Sequence, residues 1–526
     1  MSYSLTGKSS PSTLLISSRK AALSTASPNN SHSNMSAIEK VAELATEAAL
    51  VSSSASVLGW DQETYLPEEA HGWRARQLAW LSGRSHELST SPALRDALEA
   101  ALDEVDPSDQ RSFGNLTEMK RRFERSTKLP AALVEKDSKL SSHAKHAWSE
   151  ARKKSDFKLF APHLQALLDL SREKAELWGY PDEAYDALIE TYERGATTAS
   201  ISQVFDALGP DLRLIAAAAV ERTALNPVAL PDGPYPIEQQ MAFNEEVARS
   251  FGFDFNKGRI DTTAHPFCTT LGPGDVRLTT RYDEGDFTSS LLGVMHEAGH
   301  GLYEQGLRSA DFGTPAGDSV SLGIHESQSR LWENHVGRSR GFWEEWFPIA
   351  ADHFPQLRKT DLDRFLAFIH RAEFSFIRVE ADEATYDLHI LLRFELERQL
   401  MRGDLKVADV PTAWNEAFTE SFGVTPPDDA HGCLQDIHWA MGGLGYFPTY
   451  TIGNLNAAQL FKAAMQVDSI SKGVSSADYS PLLKWLRKEI HDPGATLEPS
   501  ELIRNASGRE PSADAHLQHL RQRYTE

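Results

Sequence analysis

The chain has 526 residues, 40% of them hydrophobic, with a mean hydropathy of −0.41 and a formal net charge of −22. That length is far past the point where one core stops growing, so it predicts one large multi-lobed body or two to three subdomains. No basic patch offsets the acidity and no apolar run approaches the roughly 18 residues that span a bilayer, so neither a nucleic acid nor a membrane is expected as a partner.

Residues 1–38 contain no Asp or Glu, are rich in Ser, and carry Lys8, Arg19 and Lys20. This composition is that of a disordered or targeting-like tail, similar to an organellar transit peptide; Met35 is an alternative start. From 39 to about 225, apolar residues recur at i, i+3, i+4 and i+7, which predicts an N-terminal helical lobe. "NPVALPDGPYPIEQQ", with four prolines and a glycine, predicts a connection instead of a helix. "KGRIDTTAHPFCTTLGPGDVRLTTRYDEGD" then reads as extended, so residues 226–290 are expected to form a connection with a small β element. A second helical lobe is predicted over 291–526, interrupted by the Gly-rich "WAMGGLGYFPTYTIGN". The fold class is therefore mostly α. Two cysteines, Cys268 and Cys433, do not make a disulfide framework and fit a reducing, cytoplasmic setting, with organellar import as the alternative if the tail is a transit peptide.

The first residues of the second lobe carry the chemistry. In Met295-His296-Glu297-Ala298-Gly299-His300, the two histidines are i and i+4 on one helical face, close enough to bind one ion. Glu297 between them lies where it can polarise a metal-bound water, which is the H-E-x-x-H logic of zinc peptidases. In a random chain of this composition the motif arises about once in twenty trials, so it needs support. Ser289 and Ser290 are possible N-caps for the helix, and apolar residues flank the motif at helical spacing. A catalytic zinc takes a third protein ligand. "SLGIHESQSRLWENHVGRS" reads as the next helix and offers Glu326, with Glu333 and His335 as alternatives.

Five ordered motifs then resemble the carboxypeptidase Taq family of metallocarboxypeptidases: Asp275-Val-Arg277-Leu-Thr279, His296-Glu-Ala-Gly-His300, His325-Glu-Ser-Gln328, Ile377-Arg378-Val-Glu-Ala381-Asp382, and Gly432-Cys-Leu-Gln435-Asp436-Ile-His438-Trp439. His265-Pro-Phe267 and "LGWDQET" from Leu58 to Thr64 are also similar, and the match spans roughly 39–526. The resemblance implies a two-lobed helical body with a deep groove and a small β element beside the zinc helix. It implies release of single amino acids from peptide C-termini with broad specificity, and a homodimer. His296, His300 and Glu326 would bind Zn2+, or Co2+, and Glu297 would be the general base. Similarity to related gluzincins implies an oxyanion-stabilising tyrosine on the Gly-rich segment; of Tyr446 and Tyr450 we favour Tyr450, assisted by His438. Arg277 and Arg378 would bind the substrate's terminal carboxylate, although Arg378 and Asp382, read as i and i+4 on a helix, also fit an internal salt bridge. His265 would touch the substrate backbone or sit in the core. A gluzincin oligopeptidase or dipeptidyl carboxypeptidase is the alternative activity; an inactive peptide-binding scaffold is the non-enzymatic one.

Overall fold

A computed structural model describes residues 35–263 and 265–526. Expectations for residues 1–34 lie outside the described residues. Helices dominate as the periodicity predicts, and the sheet among the described residues has three strands, β1 (Gly258–Thr262), β2 (Cys268–Gly272) and β3 (Asp275–Thr280). β3 is central, parallel to β1 and antiparallel to β2.

The helix Phe287–Gly306, here the histidine helix, shows how the sequence sets the site's orientation. Phe287, Leu291, Val294, Met295, Ala298 and Leu302 are buried in one core cluster with Phe251, Trp332 and Trp343. They repeat at helical spacing and bury one stripe, each large side chain contributing about 1.5–3 kcal/mol. That burial fixes the helix rotation, so His296 and His300 fall outside the stripe on a shared face. β3 lies against the same helix through Val276 and Leu278, and Gly301 permits the approach: a Cβ there would stand 2.9 Å from Leu278 Cδ2.

Four local expectations are revised. The histidine helix is capped by Asp286, whose side chain accepts from the Thr288 amide, while Ser290 is buried and donates to Gln240 Oε1 at 2.7 Å. The proline-rich run ends at Pro236, where a helix Ile237–Phe251 begins inside the stretch expected to be connection and strand. Helix resumes at Pro448 within the Gly-rich interruption, so Tyr450 stands on the first turn of the helix Pro448–Ala464. Lastly, the helix Ala37–Thr64 reaches membrane-spanning length and hydropathy by averaging Ala and Ser with Leu and Val, without a continuous apolar run. It packs on the helices His71–Ser89 and Pro92–Glu104 and on β2, with Trp60 buried.

Candidate active site

The helix Leu322–Arg330, capped by Ser321, brings Glu326 to the histidine helix. Two glycines allow the approach. At Gly299 a Cβ would meet the Gln328 carbonyl oxygen at 2.6 Å, and at Gly453, on the helix Pro448–Ala464, it would meet Glu326 Cγ at 2.5 Å. Three helices thus close on one point. His296 Nε2 and His300 Nε2 lie 3.8 and 3.5 Å from the same oxygen, Glu326 Oε2, and all three donors fall within 4.8 Å of one another. Donors held tetrahedrally at about 2.0–2.2 Å from zinc sit roughly 3.3–3.6 Å apart, so the N, N, O set fits a divalent ion with little adjustment.

The remaining atoms of these candidate donors are held by neighbours. His296 Nδ1 meets Glu333 Oε2 at 2.9 Å. Glu333 also accepts from Arg330 and Arg338, each at 3.3 Å. Burial raises the Glu333 pKa, but Arg330 and His296 outweigh it and hold it near 2. Arg330 Nε donates to Glu326 Oε1 at 2.7 Å, leaving Oε2 facing the histidines. Glu333 lies in a π-helical segment, Leu331–Gly337, that continues the Glu326 helix. His335, in the same segment, packs on His519 and Phe461 away from the donors. Burial pushes His300 down to about 3, so its imidazole is neutral. His325 stacks on it with ring centroids 4.3 Å apart and is paired to Glu304 at 2.9 Å.

Glu297 is 6% exposed and has no hydrogen-bond or ion-pair partner among the described residues. Burial lifts its pKa to about 7, with His296 pulling the other way. A carboxylate so placed takes up and releases a proton near neutrality.

His438 Nε2 lies 3.2 Å from the Tyr450 hydroxyl, and Tyr446 packs on Tyr450 with centroids 5.4 Å apart. The loop carrying them is pinned by Glu397, a fully buried carboxylate that accepts from Trp439 Nε1 at 2.7 Å, Gly445 N at 2.8 Å and Tyr185 Oη at 2.6 Å.

Arg378 is not paired with Asp382. The backbone there is a short 3-10 turn, Arg378–Glu380, followed by extended chain. Asp382 instead accepts from the Glu373, Ala384 and Thr385 amides. Arg378 donates to Asp436 Oδ1 at 2.8 and 3.1 Å and to Tyr386 Oη at 2.7 Å. The Tyr386 ring lies under Arg330, so contacts run from Glu326 through Arg330 and Tyr386 to Arg378. Arg277, on β3, forms a two-pronged pair with Asp275 at 2.9 Å and stacks 4.1 Å over Trp60. His265 is exposed in the bend after β1, and the adjacent Phe267 amide donates to Thr279 Oγ1 at 2.8 Å, tying the HPF and D-x-R-x-T segments together. No hydrogen bond or ion pair among the described residues joins Arg277 or His265 to the donor cluster. Glu397 and the bracing roles of Arg330 and Tyr386 have no local motif; only the i+7 spacing of Glu333 from Glu326 hints at a shared face.

The profile of the carboxypeptidase Taq (M32) metallopeptidase family matches residues 40–524. The chain belongs to that family. It is a metallocarboxypeptidase, acts on peptides and requires a divalent metal. The metallocarboxypeptidase is 40% identical over 500 residues to thermostable carboxypeptidase 1 of Thermus thermophilus, covering 93% of this chain and 98% of the relative. Carboxypeptidase 1 of Bacillus subtilis is 34% identical over 480 residues, covering 90% and 95%. The crystal structure of an M32 carboxypeptidase from Deinococcus radiodurans superposes with a TM-score of 0.88 at 38% identity, over 93% of this chain and 98% of that one. The mostly helical fold expected from the sequence is the fold of these structures.

Proposed function

We propose that this metallocarboxypeptidase removes one amino acid at a time from free peptide C-termini, with His296, His300 and Glu326 as ligands of a zinc ion. The convergence of three donors on a point flanked by the unpaired carboxylate of Glu297 carries the reading. Cobalt satisfies the same N, N, O set; cellular availability favours zinc. When bound, the ion acidifies a coordinated water and polarises the scissile carbonyl. Glu297 takes the water's proton on its carboxylate and passes it to the leaving amine nitrogen. Tyr450 Oη, oriented by His438 Nε2, donates to the developing oxyanion. Arg378 uses three of a guanidinium's five N–H donors, leaving two for the terminal carboxylate, with Arg277 as its second anchor and His265 against the substrate backbone. Residues 39–526 act as one domain whose lobes, 39–225 and 291–526, flank the β-bearing segment 226–290. The free thiols Cys268 and Cys433 support a reducing, cytoplasmic setting, and a second copy completes a homodimer.

The deciding assay follows amino-acid release from N-acylated Ala-Arg with metal, after chelation, and for Glu297→Gln. Metal-dependent loss of the C-terminal residue, abolished in Glu297→Gln with metal retained, is the expected result. Release of dipeptides or internal cleavage would replace it with an oligopeptidase.

A further inference from the structure

Against the helix Pro448–Ala464 lies a cavity of about 270 Å3, walled by Phe205, Ile452, Leu455 and Ile503 and bordered by Glu193 and Arg194. Its mouth includes Val204, 37% exposed. Two of its polar groups are incompletely matched. Glu193 is 4% exposed and has no cation within ion-pair distance among the described residues; its oxygens accept only from Ser321 Oγ at 3.0 Å and the Gly323 amide at 2.9 Å. Burial lifts its pKa to about 7. Arg194 spends one terminal nitrogen on Glu118 at 2.6 Å, but its Nε is buried without a partner. A buried carboxylate without a cation and a buried guanidinium N–H without an acceptor are both costly.

We infer that this cavity binds a free L-amino acid with an apolar side chain, its carboxylate accepting from Arg194 Nε, its ammonium facing Glu193 and its side chain against Phe205, Leu455 and Ile503. One molecule supplies both missing partners, which a purely apolar ligand, a simple cation or a simple anion does not. The volume falls just below the roughly 300–1,000 Å3 typical of drug-sized ligands, as a small metabolite requires.

The position connects this site to catalysis. Glu193 holds the first turn of the Glu326 helix through Ser321 and Gly323. Ile452, on the cavity wall, crowds Gly323, and the next residue, Gly453, sits against Glu326 itself. A ligand that draws Glu193 toward its ammonium pulls on the helix that carries a metal ligand. Because the enzyme's own products are amino acids, the cavity is a product sensor; this regulatory part rests on the carboxypeptidase reading, whereas the binding does not.

The test is calorimetric titration of the metal-loaded full chain with L-leucine, 4-methylpentanoate and L-leucinamide. Saturable leucine binding is expected, weakened tenfold or more in the analogues lacking the ammonium or the free carboxylate. Val204→Trp, which fills the mouth, and Arg194→Lys, which keeps a cation for Glu118 but deletes the Nε donor, should each weaken leucine by a similar factor. Leucine should inhibit the wild type noncompetitively, whereas Val204→Trp should keep its peptidase turnover and escape that inhibition. Leucine binding unchanged in Val204→Trp, or no saturable heat with leucine, valine or phenylalanine, overturns the site. Purely competitive inhibition overturns the coupling. Since binding is read as heat, a chain that binds leucine in this pattern but cleaves no peptide would sink the catalytic assignments and leave the cavity standing.

Discussion

Glu333 Oε2 stands 2.9 Å from His296 Nδ1, on the far side of the ring from the nitrogen that faces Glu326. That contact selects the tautomer with the proton on Nδ1 and the lone pair on Nε2, and it makes the imidazole a better donor. Glu333 therefore acts through His296 and is a positioning residue. Glu333→Gln keeps the volume but weakens the acceptor, so metal affinity measured by chelator competition should fall about 10–100-fold. Glu326→Gln should cost more. Equal metal affinity in Glu333→Gln and the wild type would refute the assignment.

Gly453→Ala places a methyl 2.5 Å from Glu326 Cγ, and the helices must part to admit it. We expect about 1–3 kcal/mol of lost stability from overpacking, together with weaker metal binding. Gly59→Ala is the matching control, because a Cβ there meets nothing within 4 Å. In a denaturant titration the control should be neutral or slightly stabilising, since alanine is the better helix former.

Acid sensitivity should trace in part to Glu118. Its side chain is 3% exposed and is paired with Arg121, Arg122 and Arg194. Burial raises its pKa, but the arginines outweigh that and hold it near 2, below the ordinary 4.5. A depressed carboxylate stabilises the fold fully above its unfolded value, and that contribution fades as pH falls from about 4.5 towards 2. By pH 3 the loss is on the order of 1–2 kcal/mol. Urea midpoints taken from pH 6 to pH 3 should fall less steeply in Glu118→Gln; parallel curves would show that Glu118 contributes nothing to the slope.

Leu50, Val57, Trp73 and Trp80 are 57%, 40%, 65% and 70% exposed on two helices that pack against each other. Large exposed aromatics on a well-packed body mark a surface that another protein covers, and in the homodimer proposed here that partner is a second copy. Light scattering should give twice the chain mass for the wild type and the chain mass for Trp80→Glu. A wild-type monomer at micromolar concentration would end the proposal.

Much of this site is legible in the sequence, for identifiable reasons. The histidine pair follows from helical periodicity, because 296 and 300 share a face whatever surrounds them. The need for a third donor on the next helix leaves Glu326, Glu333 and His335 open, and the family resemblance selects Glu326. Arg378 shows where such reasoning stops: its spacing to Asp382 suggests a helical pair, yet the Asp382 side chain binds nearby amides and competes with helix formation. Its true partner, Asp436, lies 58 positions away and is set by tertiary packing. Gly453 carries no local signal either, since the side chain that demands its small size is 127 positions earlier. Contacts of that range are fixed by how helices meet, and local pattern does not encode it.

The π-helical segment after Glu326 has a further consequence. Such a segment is an α-helix carrying one surplus residue, and the surplus falls between Arg330 and Arg338, which grip Glu333 from either end. Removing a single residue between Arg330 and Glu333 would let the chain rewind as ordinary α-helix and swing Glu333 by about 100° away from His296. The centre is thus written in residue count as well as residue identity. Substitution scans, which hold length constant, are blind to that half of the specification; a one-residue deletion just before Glu333, set beside one just after it, would read it directly.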